Sequence, residues 1–275
     1  PGFFSFILPL YLHKYGFISA YVAWTIFLAI GVVLFASVGV NAWYFQLKKK
    51  GFSKNECKSI AQSKGEELFP SGTAKQSLIQ SAKVPNTWAL VILYFATFGG
   101  FLALTAWFPT YWIKLHGYTV LTAGMLTGGF SILASAIRIP GGSIADKIGG
   151  EKLCLISMYI MLIAAILLTF TTHTTLAFIA TILMAIAMGF NNAAVFKLVP
   201  TYVPTAVGGA SGWVGGLGAF GGFVIPPIMG WIVSLYGQIG YVRGFFVFII
   251  LAIINIFILY LWLMRYKAKQ KAQTH

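Results

Sequence analysis

Residues 88–113 read WALVILYFATFGGFLALTAWFPTYWI, 26 positions without a single charge. A helix that crosses the hydrocarbon core of a bilayer needs about 20 mostly apolar residues, so this stretch by itself predicts a membrane span. The pattern recurs on both sides of it. Tyr21 to Phe45 is uncharged, and Tyr118 to Ile144 carries only Arg138. Leu153 to Phe170, Leu176 to Phe196, Val207 to Tyr236 and Phe245 to Met264 follow. Period-two alternation, the mark of a transmembrane barrel, is absent. The expected fold is therefore all-α, a polytopic membrane helix bundle of seven full spans. Residues 1–12 are apolar but too short to cross, and they read as the remnant of a helix that begins upstream. They lack the basic start and cleavage site of a signal peptide.

Composition supports this and narrows the class. Of 275 residues 59% are hydrophobic and 9% charged, against roughly 45–50% and about 25% in a soluble domain. Two cysteines, Cys57 and Cys154, supply neither a disulfide framework nor, unaided, a zinc site. Nineteen Lys and Arg face five Asp and Glu. In a soluble protein that excess would suggest nucleic acid, but here there is little polar surface to form a groove, and no nucleic-acid partner is expected.

Placement of the charge explains most of it. With the first full span running outside to inside, Lys48, Lys49, Lys50, Lys54, Lys58, Lys64, Lys75, Lys83, Lys147, Lys152, Lys197, Arg265, Lys267, Lys269 and Lys271 are cytoplasmic. Lys14, Lys114 and Arg243 lie opposite. This bias sets orientation and predicts a multi-pass protein of the cell (inner or plasma) membrane with a cytoplasmic C-terminus. Residues 46–87 form the one long polar segment. They read as a solvated linker or as a short amphipathic helix on the anionic leaflet. A basic loop, six spans and a basic tail are arranged like the second half of a transporter built from two six-helix halves. The division expected is then 21–45 as the last helix of an N-terminal half, 46–87 as an inter-domain loop, 88–264 as a C-terminal six-helix half and 265–275 as a basic tail.

Ionisable groups at membrane depth are functional candidates, and the spans hold very few. Glu56, Glu66, Glu67, Asp146 and Glu151 all fall in cytoplasmic segments; His13, His116, His173 and His275 fall at span ends or in the tail. A proton relay, a carboxylate cation site, a metal site and a Ser/His/Asp triad all lack their parts, so no enzyme and no cofactor are expected. Arg138 is the exception. It sits eight residues inside Asp146, about 12 Å deep at 1.5 Å per residue. Its permanently charged planar fork suits an oxyanion, and the alternative is an Arg snorkelling to the interface. Tyr94 and Phe98, at i and i+4, share a face mid-span and would cage a flat anion beside an Arg, unless they are ordinary core packing. Trp107, Tyr111 and Trp112 read as interfacial belt residues. The run from Gly208 to Gly230 places Gly208, Gly212, Gly215, Gly218 and Gly222 on one face suited to close helix approach, and Pro226-Pro227 is expected to bend or break that helix.

Several stretches together resemble the nitrate/nitrite porters of the major facilitator superfamily. Gly189-Phe-Asn-Asn-Ala-Ala-Val-Phe-Lys-Leu-Val-Pro200 is similar to the family's second nitrate signature, and the glycine run from Gly208 follows at the expected distance. Arg138-Ile-Pro-Gly-Gly-Ser-Ile-Ala-Asp146 onward resembles the superfamily's cytoplasmic loop, and Tyr94 to Phe101 resembles the first helix of the second half. The resemblance covers about 88–264 and implies a bundle of the major facilitator type. It implies that Arg138 contacts nitrate or nitrite together with a second Arg from an N-terminal half not contained in this chain. Tyr94 would donate to the anion and Phe98 would pack on its face. Asn191, Gly189 and the glycines 212, 215, 218 and 222 would support the site. Phe190 and Asn192 stand where the common pattern has glycines. Alternating-access transport of nitrate or nitrite is the function implied, with a carrier of another small or organic anion, or a non-transporting membrane fragment, as alternatives.

Overall fold

The computed structural model describes residues 2–66 and 73–264. The expected basic tail 265–275, and Glu67, lie outside the described residues. Among the described residues the regular structure is helical throughout, with no strand. The chain divides into two compact units, Tyr11–Thr73 and a larger one formed by Pro1–Leu10 and Ala74–His275.

Helix α1 (Gly2–Val38) is interrupted at Gly16, whose φ of 77° suits glycine. Its membrane-length part is Lys14–Val38, so the first span lies earlier than the Tyr21–Phe45 reading. Residues 39–42 leave the helix, and α2 (Trp43–Lys49) begins a separate element. The reason is distant in sequence. The Glu66 carboxylate accepts from the backbone N–H groups of Trp43 and Tyr44, filling the orphan donors that open any helix. Helix α3 (Lys54–Ser63) starts with a capping box between Ser53 and Glu56. The two helices enclose a small core of Tyr44, Leu47, Cys57 and Ala61, with Ile60 beside it. Part of the polar segment is thus a folded helical hairpin.

The larger unit contains α4 (Ala74–Ala82), α5 (Pro85–His116), α6 (Val120–Ile148), α7 (Gly150–Phe170), α8 (Thr174–Tyr202), α9 (Val207–Ala219), α10 (Gly221–Tyr236) and α11 (Phe246–Ile258). Their ends follow local chemistry. Pro85 occupies the first turn of α5, and Gly117 closes it at φ 69°. The Thr119 hydroxyl accepts from the Thr122 N–H at the start of α6. Six helices among the described residues are long and apolar enough to cross a membrane. The seventh expected span, 245–264, is helical and apolar over Phe246–Leu261, a shorter stretch, and continues as a wide π-type turn at Leu259–Met264.

Burial inside the larger unit is greatest along α5 and α8. Helix α8 packs on α7, α6 and α5, while α9 and α10 cover another side of α5. Glycine makes this last contact possible. A Cβ on Gly99 would lie 2.6 Å from the Gly218 carbonyl oxygen and 2.6 Å from the Gly221 Cα, so two backbones touch there. Two helices are interrupted without being broken. Ile137 (φ −62°, ψ −20°) precedes Arg138 in α6, and Phe220 (φ −59°, ψ −21°) separates α9 from α10. Pro226 and Pro227 stand inside α10; the interruption comes earlier, at Phe220, where the glycine run meets α5. Tyr111 and Trp112 are fully buried beside Phe108 and Phe245, not at an interfacial belt, because their face of α5 turns inward. Near them His116 is within 3.1 Å of the Tyr111 hydroxyl and of Thr174 Oγ1.

The Gly99 contact predicts a simple contrast. Gly99→Ala and Gly221→Ala should each destabilise the bundle by about 1–3 kcal/mol, because the new methyl meets backbone that has no room to yield. Gly230→Ala, whose Cβ would meet nothing within 4 Å, should leave stability unchanged. Thermal midpoints of the three purified variants in one detergent check this.

Candidate anion-binding site

The site is built on one unusual turn. Within α5 the segment Phe95–Gly99 is a π-type turn, a widening frequent at functional sites. Tyr94 and Phe98 flank it with rings stacked 4.8 Å apart at 18°. Phe101 continues the column, 6.1 Å from Phe98 and at 21°. Tyr94 is also met edge-on by Phe196 of α8, at 5.0 Å and 85°. On its other flank comes Gly218 of α9, where a Cβ would lie 2.6 Å from the ring. The phenol is 5% exposed.

Arg138 faces this column from α6. Its guanidinium carbon lies 5.2 Å from the Phe98 centroid and 5.6 Å from that of Phe101, within the range of an attractive cation–ring contact. Its Nε is buried without a hydrogen-bond partner among the described residues. The nearby acids are engaged elsewhere. Asp146 pairs with Lys197, and Glu151 accepts from the Tyr202 hydroxyl at 3.0 Å. What faces the aromatic column is a cation without a carboxylate, and that arrangement can hold a small anion.

Polar side chains hold the turn. At its entry the Leu93 carbonyl accepts from Thr97 Oγ1 at 3.0 Å and from Asn191 Nδ2 at 3.3 Å. The Thr97 hydroxyl also accepts from Asn191 Nδ2 at 2.8 Å and lies 2.9 Å from Asn192 Oδ1, which shares the hydroxyl's single proton with the Leu93 carbonyl. One hydroxyl thus links α5 to two adjacent amides of α8. Eight residues further on, Thr105 reaches Ser131 of α6 at 3.1 Å. Phe98 and Phe101 lie between these two cross-links, so the ring column is anchored to both neighbours.

Tyr94, Phe98 and Arg138 therefore come together. Asn191 lies behind them, against the turn and not against the guanidinium. Gly189 brings α8 onto the stretch just before Arg138, since a Cβ there would lie 2.7 Å from the Ala134 carbonyl oxygen and 2.8 Å from Ile137. Gly218 and Gly222 press on α5, the latter with a Cβ position 2.7 Å from Leu102. Gly212 and Gly215 make looser approaches, 3.4 Å to Leu78 and 3.9 Å to Phe196. The sequence reading did not single out Thr97, Phe101, Gly99 or Gly221. Thr97 carried a usable signal, a small hydroxyl side chain between Tyr94 and Phe98 in an apolar span. The shallow hollow lined by Thr169, Thr172 and Arg243 contains none of these residues.

Fold and site together define a polytopic helical membrane bundle with one embedded guanidinium set against aromatic rings. The chain belongs to the Major Facilitator Superfamily, whose sequence model matches residues 3–204 and 116–275. It is 31% identical over 205 residues to a protein named probable nitrate/nitrite antiporter NarK1 from Thermus thermophilus, covering 68% of this chain and 45% of that one. It is 32% identical over 187 residues to a nitrite extrusion protein of Bacillus subtilis (strain 168), covering 68% and 46%. A probable nitrate transporter NarT of Staphylococcus haemolyticus (strain JCSC1435) shares 34% over 167 residues, 61% and 42% of the two chains. The chain spans about half the length of these relatives. Among solved structures it resembles a bacterial homologue of the human lysosomal transporter Spinster, inward-facing and unoccupied, with a TM-score of 0.50 at 16% identity over 70% of this chain and 50% of that one. That likeness concerns the fold.

The Thr97 cross-link predicts that Thr97→Val destabilises the bundle by about 1–3 kcal/mol, because a buried amide donor and a buried amide acceptor each lose a partner. Thr97→Ser keeps the hydroxyl and should retain most of the stability. Unfolding midpoints of the two variants, measured side by side, distinguish these outcomes.

Proposed function

We propose that this chain supplies the C-terminal half of a transporter that carries nitrate or nitrite across the cell membrane by alternating access. One observation carries the reading: Arg138, with no carboxylate partner among the described residues, lies against Phe98 and Phe101 next to the stacked Tyr94. In a low-dielectric interior an unpaired cation is costly, and a monovalent oxyanion offsets that cost. Nitrate and nitrite are flat, so a guanidinium fork in plane and an aromatic ring beside it match both their charge and their shape. The Tyr94 hydroxyl adds a donor. The names of the related proteins support the same substrate class.

The bundle's share of the mechanism follows from its parts. Arg138 supplies charge, Phe98 a wall, and Tyr94 a hydrogen bond. The close glycine contact of α9 and α10 with α5 lets helices shift with little side-chain interlock to undo. An amino-terminal half-bundle would supply the opposite wall of the path. In this reading the basic segments face the cytoplasm, the C-terminus included. The acids of the described spans, Asp146 and Glu151, stand at the ends of α6 and α7, where they engage Lys197 and Tyr202. In this reading exchange of one anion for another draws on no protonatable group at the middle of the bundle.

In the complete transporter, Arg138→Ala should abolish saturable nitrate uptake into proteoliposomes while membrane insertion stays normal. Arg138→Lys should fail as well, since an ammonium keeps the charge and loses the fork. Uptake retained in Arg138→Ala overturns the assignment. Labelled nitrate displaced by nitrite but not by small carboxylates supports the substrate class; equal displacement by carboxylates points to a broader anion carrier.

A further inference from the structure

The hairpin formed by α2 and α3 is not explained by the anion site. Between Trp43 and Glu66 the sequence holds six lysines and two glutamates. Both glutamates are committed to backbone groups. Glu56 accepts from Ser53 N at 2.9 Å and from Ser53 Oγ at 2.7 Å, which holds its carboxyl below the ordinary carboxylate range. Glu66 caps α2. The acids therefore fold the hairpin, and Lys64 is held over the Trp43 ring, its Nζ 4.2 Å from the centroid. Lys48, Lys49, Lys50 and Lys54 are exposed. Exposed aromatic rings stand among them: Trp43 at 42%, Phe45 at 51% and Phe52 at 44%. Phe45, Lys48 and Lys49 are spaced i, i+3 and i+4, hence on one helix face. A solvated linker has no use for an internal core, a cap made across 22 residues and three exposed rings.

We propose that residues 43–66 form a lipid-docking element that binds the anionic headgroups of the adjacent leaflet. The lysines would contact phosphates while Phe45 and Phe52 rest at the acyl boundary. Reach supports this. The first span ends at Val38 and α2 begins at Trp43, and the four residues between extend at most about 14 Å. The hairpin is thus tethered close to the bilayer edge, near the range over which an anionic leaflet attracts basic side chains, about 8 Å at physiological salt. Charge decides between occupants. A cluster of lysines with rings at its margin matches phosphate headgroups above hydrocarbon. The proposal stands apart from the anion-transport reading and does not depend on which anion is carried.

The test uses the full chain with Asn55→Cys carrying a spin label; Cys57 and Cys154 are buried, so labelling is selective. The label's accessibility to an aqueous nickel chelate is measured in vesicles of phosphatidylcholine alone and with about 30% phosphatidylglycerol. Docking predicts a fall of about threefold with the anionic lipid, reversed by high salt, which shortens the screening length to about 3 Å at 1 M. The triple variant Lys48→Gln, Lys49→Gln, Lys50→Gln should lose the lipid dependence, and the corresponding triple Arg variant should keep it. Mobility of the label reports whether the hairpin stays folded in each. Equal accessibility in the two lipids overturns the proposal, as does a lipid dependence that survives in the Gln variant.

Discussion

In hydrocarbon every polar group must find its partner inside the protein, a constraint that the buried hydroxyls of the larger unit meet. Trp107 Nε1, Trp112 Nε1, Arg138 Nε, Asn191 Oδ1, Asn192 Nδ2 and Asn255 Oδ1 are left without a partner among the described residues. Most of the buried hydroxyls turn back on their own helix. Thr127, Ser157, Thr169 and Thr181 each donate to the carbonyl four residues earlier. Such bonds satisfy the side chain and tie nothing together. Thr97 and Thr105 also face the carbonyl four residues earlier, but in addition they reach other helices, α8 and α6 respectively. Both stand on α5, on either side of Phe98 and Phe101. The two cross-links therefore fix the ring column against the helix that carries Arg138 and against the helix that packs behind it. Other polar links between helices lie toward the helix ends, as with His116–Thr174, Glu151–Tyr202 and Asp146–Lys197, and glycines let backbones meet between α5 and the α9–α10 pair.

Electrostatics complement this packing. Two acids near the bundle's polar ends are engaged, Asp146 with Lys197 and Glu151 with Tyr202. Arg138 alone among the spans' residues combines full charge, a buried Nε without a partner and contact with rings. Rings beside a guanidinium recover part of the lost hydration, on the order of 2 kcal/mol when water is excluded, which is well short of what a desolvated charge loses. That shortfall marks the position as a candidate for anion binding: an arriving anion would gain from a cation already held in place. A ring on one side and a fork on another restrict that anion in shape as well as in charge.

Much of the fold was legible because apolar length is a strong signal, and the span pattern emerges from simple counting. The helix faces around Tyr94 and Phe98 were readable for the same reason, since i and i+4 spacing puts two rings together. Other features depend on contacts distant in the chain. Trp43-Tyr44-Phe45 looks like the end of a span, and only Glu66, more than 20 residues on, makes it the start of a hairpin. Tyr111 and Trp112 resemble belt residues by position, and their burial is decided by Phe108 and Phe245. In the glycine run the sequence shows which residues are small but not which meet a neighbour. Gly99, on another helix, completes the contact with Gly218 and Gly221. The π-type turn at Phe95–Gly99 has no composition of its own; it is stabilised by Thr97 and by amides nearly a hundred residues away.

The two interrupted helices bring these strands together. Ile137 and Phe220 adopt nearly the same backbone angles, and each lies beside the candidate site. Arg138 is the first residue after one interruption, and Gly218, pressed on Tyr94, comes just before the other. Both bends also sit ahead of proline, at Pro140 and Pro226, where a helix loses a backbone hydrogen bond. A change of angle at either one would move a wall of the site while the hydroxyl-anchored ring column of α5 stayed in place. The bundle thus sets a ring column anchored through Thr97 and Thr105 against two interrupted helices, one carrying the charge and the other the glycine surface.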